Sequence, residues 1–274
     1  MTSGIWRLSV PGGLPPESCT QLAALLSAIA GAEAAPDEVP FISPLMALRD
    51  AGGDSIGLDL MAGGKERPGH ILIHESLALE AHRSLAAGQS FTVDARVDDS
   101  GAGSNGVAMT ASLSTAANTG AVTVMARLRW VGASALARLK PLELSRAAKG
   151  EDLRRFETRP VRQGEVTRYV TLAGDANPLH VDEQCAIRAG LETTVIPGAL
   201  LTGLLEPALA AMSAGYRIRA LRVRFVSPHP MGESIGFAIS EKALGSAMHA
   251  ADLRVFIYRR GEGVTGVADV ILAG

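Results

Sequence analysis

The chain has 274 residues, of which 47% are hydrophobic and 20% charged, with 26 Lys and Arg residues against 28 Asp and Glu residues. The near-neutral balance argues against nucleic acid as a partner, because phosphate binding needs a basic surplus, and the apolar fraction excludes a disordered chain. The length allows one large domain or two of about 100–150 residues each.

Cysteine usage and the first residues bear on the compartment. Cys19 and Cys185 lie in different halves, and a secreted disulfide scaffold would use more cysteines, so a reducing cytoplasm is favoured. No basic region followed by an apolar run opens the chain, so no signal peptide is predicted. Residues 195–212 approach the length of a membrane span, but a glutamate and two prolines favour a buried core helix. We therefore expect a cytoplasmic protein with no membrane partner.

Alternation of apolar and polar residues predicts two sets of four strands, each preceded by helical segments. The first half is predicted to carry helices at 17–29 and 43–50 and strands at 71–79, 91–97, 107–113 and 121–130. The second half is predicted to carry helices at 182–189 and 197–212 and strands at 218–226, 234–240, 248–258 and 264–272. Corresponding strands begin 141 to 147 residues apart, so the same arrangement of helices and strands occurs once in each half.

The two helices of the second half have readable limits. The shorter helix is expected to begin after the N-cap Asp182 and to end at Gly190. The helix at 197–212 is apolar on all faces, which is typical of a buried helix. Pro207 is expected to kink it.

The fold class predicted from this organisation is α+β, with a helix and an antiparallel sheet built twice. The first repeat is assigned to residues 1–132 and the second to residues 158–274. Residues 133–157 show no alternation and are interpreted as a linker that is partly helical. We expect one face of each strand set to pack on a buried helix and the two sheets to join edge to edge, which hides strand edges.

The sequence context excludes several familiar cofactor-binding motifs. Gly-x-Gly-x-x-Gly matches at 101–106 and 261–266 lie between predicted strands, whereas a dinucleotide site needs a strand, a turn and then a helix. Both are interpreted as hairpin turns. The Cys and His residues lack zinc-ligand spacing, and the sequence has neither a phosphate loop nor a Gly-x-Ser-x-Gly elbow. No metal or cofactor is predicted.

Residues 174–180 combine two titratable side chains with residues that break regular structure. Gly174 and Pro178 predict a turn between helices, and this turn carries Asp175 and His180. A carboxylate and an imidazole on one rigid turn can hold and activate a water molecule without a metal. The spacing alone favours a structural turn over a catalytic one, because Asp and Asn side chains bond their own backbone and proline fixes φ.

The segment 169–205 resembles the signature of the MaoC-like (R)-specific enoyl-CoA hydratases, which reads G-D-x-N-P-I/L-H-x-D, then A-x-x-x-G, then H-G-M-x-T. The matching residues are Gly174, Asp175, Asn177, Pro178, Leu179, His180, Asp182, Ala186, Gly190, Gly198 and Thr202. A looser likeness continues to residues 227–233, which resemble the proline-glycine turn of the family. The first half lacks the motif and is similar to the degenerate N-terminal repeat of double-hotdog members, which supports the substrate rather than the chemistry.

The resemblance implies a double hotdog, in which each repeat is a long central helix wrapped by an antiparallel sheet. It also implies reversible hydration of trans-2-enoyl thioesters to (R)-3-hydroxyacyl thioesters, with coenzyme A or acyl carrier protein as part of the substrate. By position, Asp175 would be the base and His180 its partner in holding the water. Asn177 would orient the loop or the carboxylate, and the Gly198 N–H would bind the thioester oxygen. A homodimer is compatible with the two-repeat plan.

The sequence departs from the family signature at two positions. Pro197 stands where the family usually has His, which removes both an N–H donor and an imidazole and puts activity or substrate choice in doubt. Ala199 replaces the usual Met, which would widen the acyl pocket.

Two further groups of polar residues lie on predicted strands. Arg222 and Arg224, on the first strand of the second half, either contact coenzyme A phosphates as substrate-binding residues or form a solvated sheet face. His70, His74 and Glu75 begin a strand of the first half and are interpreted as ordinary strand residues.

Three functions are compatible with this sequence. The Asp175 and His180 pair favours a hydro-lyase that acts on an acyl thioester. A hotdog thioesterase is the first alternative, in which the water attacks the carbonyl carbon instead. A non-catalytic subunit that binds acyl thioesters is the second alternative, and Pro197 favours it.

Overall fold

The computed structural model describes residues 4–32, 39–50, 69–83, 85–99, 106–136, 138–175, 177–212, 217–240 and 250–273. The strands in this part of the chain are β1 Gly4–Val10, β2 His70–Ala81, β3 Phe91–Asp99, β4 Gly106–Ser114, β5 Val122–Gly132, β6 Leu142–Glu143, β7 Leu153–Glu157, β8 Arg217–Phe225, β9 Gly236–Ser240, β10 Ala250–Arg259 and β11 Gly263–Ala273. The helices are α1 Pro16–Ala30, α2 Pro44–Asp50, α3 Ala133–Leu136, α4 Leu144–Ala147, α5 Gln163–Ala173, α6 Glu183–Arg188, α7 Gly198–Gly203 and α8 Leu205–Met212.

The order of strands across the sheet in the second half mirrors the order in the first half. The described strands form one sheet in the order β1-β3-β4-β5-β2-β8-β11-β10-β9-β7, and β6 pairs with β11. All of these pairs are antiparallel. The first strand of each predicted set lies at the centre, and the second strand of each set lies toward the rim. The predicted recurrence of four strands in the same order is therefore confirmed.

The two halves join at the pair β2 and β8. Leu77 lies opposite Val223 and Leu79 opposite Leu221 in this pair, and all four side chains are buried. They belong to one apolar core that also contains side chains of α1, α7 and α8. The prediction that the sheets join edge to edge is confirmed, and the core is continuous across the joint.

The helices of the second half follow the predicted limits with one change. The Asp182 side chain accepts a hydrogen bond from the Cys185 N–H at 3.0 Å, as expected of an N-cap. The helix predicted at 197–212 is divided at Leu204, upstream of Pro207, because proline disturbs the turn before it and is tolerated in the first turn of α8. Among the described residues, no helix combines the length and the hydropathy that a bilayer crossing requires.

Part of the segment interpreted as a linker is structured. It contributes α4 and the short strands β6 and β7 to the second half, and β7 pairs with β9 from Leu153 opposite Ser240 to Glu157 opposite Gly236. An edge strand such as β7 is solvated on most sides, so it shows no clear alternation in sequence. The sequence did not predict β1, β7 or α5. The domain boundaries stay a prediction.

The two glycine-rich matches differ in what the structure describes. The match at 261–266 begins in the turn between β10 and β11, where Gly261 has a φ of 79°, so the hairpin interpretation is confirmed there. The match at 101–106 lies outside the described residues except for Gly106, which begins β4.

Close helix packing makes Gly203 sensitive to substitution. A Cβ atom at this position would lie 2.4 Å from Ile42 Cδ1 and 3.2 Å from Leu26 Cδ2. We expect Gly203→Ala to lower the free energy of unfolding by about 1–3 kcal/mol, as overpacked cores do. Gly164→Ala in α5 is the control, because its Cβ would contact nothing within 4 Å and alanine favours a helix. Urea unfolding of both variants tests this, and equal stabilities would contradict it.

Candidate active site

The predicted turn begins where α5 ends. Gly174 closes this helix with a φ of 62°, a left-handed conformation that glycine adopts without strain. The next residue, Asp175, donates its N–H to the Val170 carbonyl at 3.1 Å. Its side-chain atom Oδ1 accepts the N–H of Asn177 at 3.2 Å. One carboxylate oxygen is thus held by the turn, and Oδ2 remains for other contacts.

The Asn177 side chain connects this turn to the first half of the chain. Its Oδ1 accepts the Leu179 N–H at 3.2 Å and so caps the single 3-10 turn at Pro178–His180. Its Nδ2 donates to the Leu72 carbonyl of β2 at 3.2 Å. An asparagine can do both because the amide carries an acceptor and a donor. The orienting position predicted for Asn177 therefore has a structural basis, and its role in the reaction stays a prediction.

The His180 ring is fixed in one orientation. Its Nδ1 lies 2.8 Å from the Val195 carbonyl oxygen, which can only accept, so Nδ1 carries the proton. The backbone oxygen of His180 accepts from Gln163 Nε2 at 2.9 Å, and Gln163 Oε1 accepts from the Thr194 hydroxyl group at 2.9 Å. A neutral His180 consequently presents the lone pair of Nε2.

Asp175 and His180 point toward each other without a direct hydrogen bond. His180 Nε2 lies 3.6 Å from Asp175 Oδ2, and the two side chains are 9% and 18% exposed. With the proton on Nδ1, both facing atoms are acceptors, so neither can donate to the other. Two acceptors at this separation can each receive a hydrogen bond from one water molecule. The arrangement therefore suits the capture and deprotonation of water.

These groups line one cavity of about 800 Å³. Asp175, Asn177, His180 and Gly198 all contribute to its wall, so the structure brings four of the predicted site residues together. The wall is otherwise largely apolar and includes Ile71, Ile73, Trp130, Leu136, Leu139 and Leu201. Within the described part of the chain, no group of three or more His, Cys, Asp or Glu side chains is arranged to hold a metal ion.

Gly198 is the first residue of α7, so its N–H lies outside the hydrogen-bond ladder of the helix. A Cβ atom there would lie 2.8 Å from Phe225 Cζ and 3.0 Å from two further ring carbons. Only glycine allows the Phe225 ring to approach the backbone this closely. The geometry leaves the Gly198 N–H available to a ligand in the cavity.

The remaining predicted site residues lie elsewhere. Ala199 is buried in the core around α1 rather than in the cavity wall, and Pro197 is buried as the residue before α7. Arg222 lines a separate groove on the solvent side of the sheet, beside Ala78 and Asp269. Arg224 is exposed on the same strand and does not line the cavity. The structure does not bring these side chains to the Asp175 and His180 pair.

Several polar residues of the cavity wall were missed or discounted, among them His70, His74, Glu75 and Ser227. His74 of β2, which the sequence presented as an ordinary strand residue, lines the cavity. The hydroxyl oxygen of Ser227 is buried and has no hydrogen-bond partner among the described residues, and Ser227 also lines the cavity. His74 reaches the site only through the pairing of distant strands, whereas Ser227 lies in the loop after β8, within the segment 227–233 that resembles the proline-glycine turn of the family.

His229, another wall residue, is held by two hydrogen bonds. Its Nε2 donates to the Ser234 carbonyl at 3.2 Å, and its Nδ1 accepts from the Thr265 hydroxyl group at 3.1 Å. Burial lowers the pKa of His229 to about 4, an effect that the Ser234 carbonyl opposes and the Arg259 charge strengthens. The ring is therefore neutral near pH 7.

This neutral ring makes stability depend on pH. Unfolding releases His229 toward its ordinary pKa of 6.5, so the unfolded chain binds more protons as the pH falls toward 4. The free energy of unfolding should drop over that range by on the order of 3 kcal/mol. We expect His229→Gln to lose this pH-dependent part of the free energy of unfolding, whereas His82→Gln, at an exposed histidine, keeps it. Urea unfolding at pH 7 and pH 4.5 tests this, and equal pH dependence in both variants would contradict it.

Comparison with known families bears directly on this site. Residues 145–250 match the model of the MaoC like domain, and the matched range includes Asp175, Asn177, His180 and Gly198. This part of the chain is therefore similar to the MaoC-like domain. The resemblance inferred from the sequence motif is thereby confirmed.

The curated proteins that are similar to this chain include a dehydratase. The chain is 33% identical over 79 residues to the mitochondrial 3-hydroxyacyl-(acyl-carrier-protein) dehydratase FERN of Solanum lycopersicum, a match that covers 29% of this chain. The match spans about half, 48%, of the length of that dehydratase.

Solved structures extend the likeness to the whole chain at the level of fold. A structure titled MaoC-like dehydratase superimposes with a TM-score of 0.71 and 19% identity, covering 98% of this chain and 97% of that one. An acyl-ACP thioesterase from Bacteroides thetaiotaomicron superimposes with a TM-score of 0.56 and 8% identity, covering 98% and 97%. The predicted α+β double hotdog is confirmed, and the fold alone does not separate a dehydratase from a thioesterase.

Proposed function

We propose that the chain catalyses the reversible hydration of trans-2-enoyl thioesters, carried by coenzyme A or acyl carrier protein, to (R)-3-hydroxyacyl thioesters. The observation that carries this proposal is the pair of acceptors, Asp175 Oδ2 and His180 Nε2, 3.6 Å apart in the wall of the cavity. The match of this region to the MaoC like domain supports it. So does the likeness to a 3-hydroxyacyl dehydratase.

The two acceptors suit the addition of water to an electron-poor double bond. A water molecule that donates to both Oδ2 and Nε2 keeps its oxygen lone pairs free to attack C3 of the substrate. Asp175 takes one proton of this water as the new C–O bond forms. The electron pair of the double bond moves toward the thioester carbonyl, and C2 then receives the proton that Asp175 took, which regenerates the carboxylate. The reverse sequence removes water from the 3-hydroxyacyl thioester.

Negative charge develops on the thioester oxygen during this addition, so hydrogen-bond donors aimed at that oxygen lower the barrier. The Gly198 N–H is such a donor, because α7 leaves it without an intrahelical partner. The apolar wall, which includes Ile71, Trp130 and Leu201, suits the acyl chain. Burial of that chain excludes bulk water and strengthens the polar contacts at the reacting atoms.

A thioesterase on the same fold is the alternative, since a thioesterase shares the fold of this chain. Its water would attack the carbonyl carbon and release the thiol carrier. The free Gly198 N–H would serve that reaction as well, so the two functions differ in which carbon the Asp175-bound water reaches.

Product analysis with the purified chain tests the proposal. We expect trans-2-enoyl-CoA thioesters of graded acyl length to lose their enoyl absorbance with no release of free thiol, and the product to be the (R)-3-hydroxyacyl thioester. Release of thiol at the same rate as substrate loss would identify a thioesterase. Binding without turnover across the whole panel would identify a non-catalytic binding subunit. Either result would overturn the proposed hydration.

A further inference from the structure

His74 comes from the first half of the chain, yet it faces the site of the second half. The pairing of β2 with β5 shifts register between His74 and Ser76, so Glu75 is an extra residue in the ladder. Such β-bulges occur next to functional sites, where they redirect a side chain. The turn that carries Asp175 is bonded to this same strand through Asn177 and the Leu72 carbonyl. The strand and the turn are therefore held together at the cavity.

The His74 ring shares its cavity with the Asp175 and His180 pair. Electrostatic interactions with both residues act on the ring. Its centroid lies 6.4 Å from that of the Phe225 ring, and Phe225 packs directly on the backbone at Gly198. Among the described residues, no side chain or backbone group forms a hydrogen bond with the His74 ring. Its polar atoms are thus available to a ligand in the cavity.

The ring is best suited to act as a neutral donor. Burial lowers the pKa of His74, the nearby Asp175 raises it, and His180 lowers it further. The adjacent Glu75 is directed instead to Arg127 and Arg129, at 4.0 and 3.8 Å. A neutral imidazole carries one N–H, which can polarise a carbonyl group without bringing a full charge into the cavity.

We propose that His74 is a further catalytic residue, whose imidazole N–H donates a hydrogen bond to the thioester carbonyl oxygen alongside the Gly198 N–H. This inference rests on the proposed hydration. An oxyanion site commonly uses more than one donor, and Pro197, the residue before Gly198, has no N–H to offer. His74 lines the same cavity as Asp175, His180 and Gly198, and its ring lies 6.4 Å from the Phe225 ring that packs on Gly198. The first half of the chain would thereby supply chemistry as well as a wall for the substrate.

Two substitutions at His74 distinguish a role as hydrogen-bond donor from a role in packing alone. His74→Phe keeps an aromatic ring beside Phe225 but has no donor, whereas His74→Gln keeps an N–H donor without the ring. We expect His74→Phe to lower kcat for enoyl thioester hydration by about 10²–10³-fold, the usual loss for one oxyanion donor, with little change in KM. His74→Gln should regain at least a tenth of the wild-type kcat. His82→Phe, at an exposed histidine beyond the end of β2, is the matched control and should keep the wild-type rate.

Carbonyl polarisation provides a readout that packing alone would not move. A saturated acyl-CoA thioester labelled with carbon-13 at the carbonyl is bound to each variant, and its C=O stretching band is recorded by infrared difference spectroscopy. The band should lie at lower frequency on the wild type and on His74→Gln than on His74→Phe. Thermal unfolding of each variant establishes that it is folded.

The outcomes separate this inference from the proposed function. If the wild type hydrates enoyl thioesters but His74→Phe matches its kcat and its carbonyl band, the role of His74 is overturned and hydration stands. Loss of activity in both His74→Phe and His74→Gln, with an unchanged carbonyl band, would also overturn the donor role. If the wild type hydrates no thioester, the proposed function fails first and this inference fails with it.

Discussion

Asp175→Asn is expected to lower the rate of enoyl thioester hydration by about 10²–10⁴-fold, the range expected for loss of a general base. Asparagine has the same shape, and its Oδ1 can still accept the Asn177 N–H that holds the turn. The amide replaces the carboxylate atom that faces His180 Nε2, so the water loses its proton acceptor. The fall should therefore appear mainly in kcat rather than in KM, as measured from initial rates of enoyl absorbance loss.

Asp182→Asn is the matched control for this substitution. Asp182 belongs to the same motif, but its carboxylate caps α6 through the Cys185 N–H and does not line the cavity. Asparagine caps helices as well as aspartate does, so this variant should keep the wild-type rate and stability. Equal rates for Asp175→Asn and the wild type would refute the role of Asp175 as base.

His180→Asn is expected to lower the same rate by about 10²–10⁴-fold. The asparagine amide nitrogen can occupy the place of Nδ1 and donate to the Val195 carbonyl, which lies 2.8 Å from Nδ1 in this structure. The variant therefore keeps the contact that fixes the side chain but lacks the acceptor Nε2. Unfolding in urea should give nearly wild-type stability, which separates a catalytic defect from a folding defect. Wild-type turnover by a folded His180→Asn would contradict the shared-water arrangement.

The double variant tests whether Asp175 and His180 act as one unit. Two groups that hold a single water molecule should show strongly non-additive losses, because removing either one already releases the water. We expect the Asp175→Asn and His180→Asn double variant to be no more than about ten times slower than the slower single variant. Multiplied losses would show instead that the two residues contribute independently.

The predicted strands show which parts of the fold a single sequence can reveal. Strands such as β5 and β11 have one buried and one solvated face, so alternation marks them to within a few residues. Edge strands such as β7 lack that contrast, because only one side is paired and most of their residues are solvated. Pro207 was expected to kink the helix at 197–212, and the structure divides that helix at Leu204, because a proline disturbs the turn that precedes it.

The candidate site was predictable where it is local and not where it is assembled from distant strands. Asp175, Asn177 and His180 lie within one turn whose glycine and proline are visible in the sequence. His74 joins them only because β2 carries a bulge and pairs with β8 at the centre of the sheet. The sequence left open whether Arg222 contacts coenzyme A phosphates or belongs to a solvated sheet face, because it alternates with buried residues. The same alternation turns it to the solvent side, away from the cavity.

Isotope labelling tests the central claim, that a water molecule held by Asp175 and His180 adds to C3 of an enoyl thioester. The purified chain is incubated with a trans-2-enoyl-CoA thioester in oxygen-18 water, and the product is analysed by mass spectrometry. We expect one oxygen-18 atom at C3 of an intact (R)-3-hydroxyacyl thioester, formed by the wild type and almost absent with Asp175→Asn. Oxygen-18 in a free carboxylate, or the same labelling by the wild type and Asp175→Asn, would contradict the account.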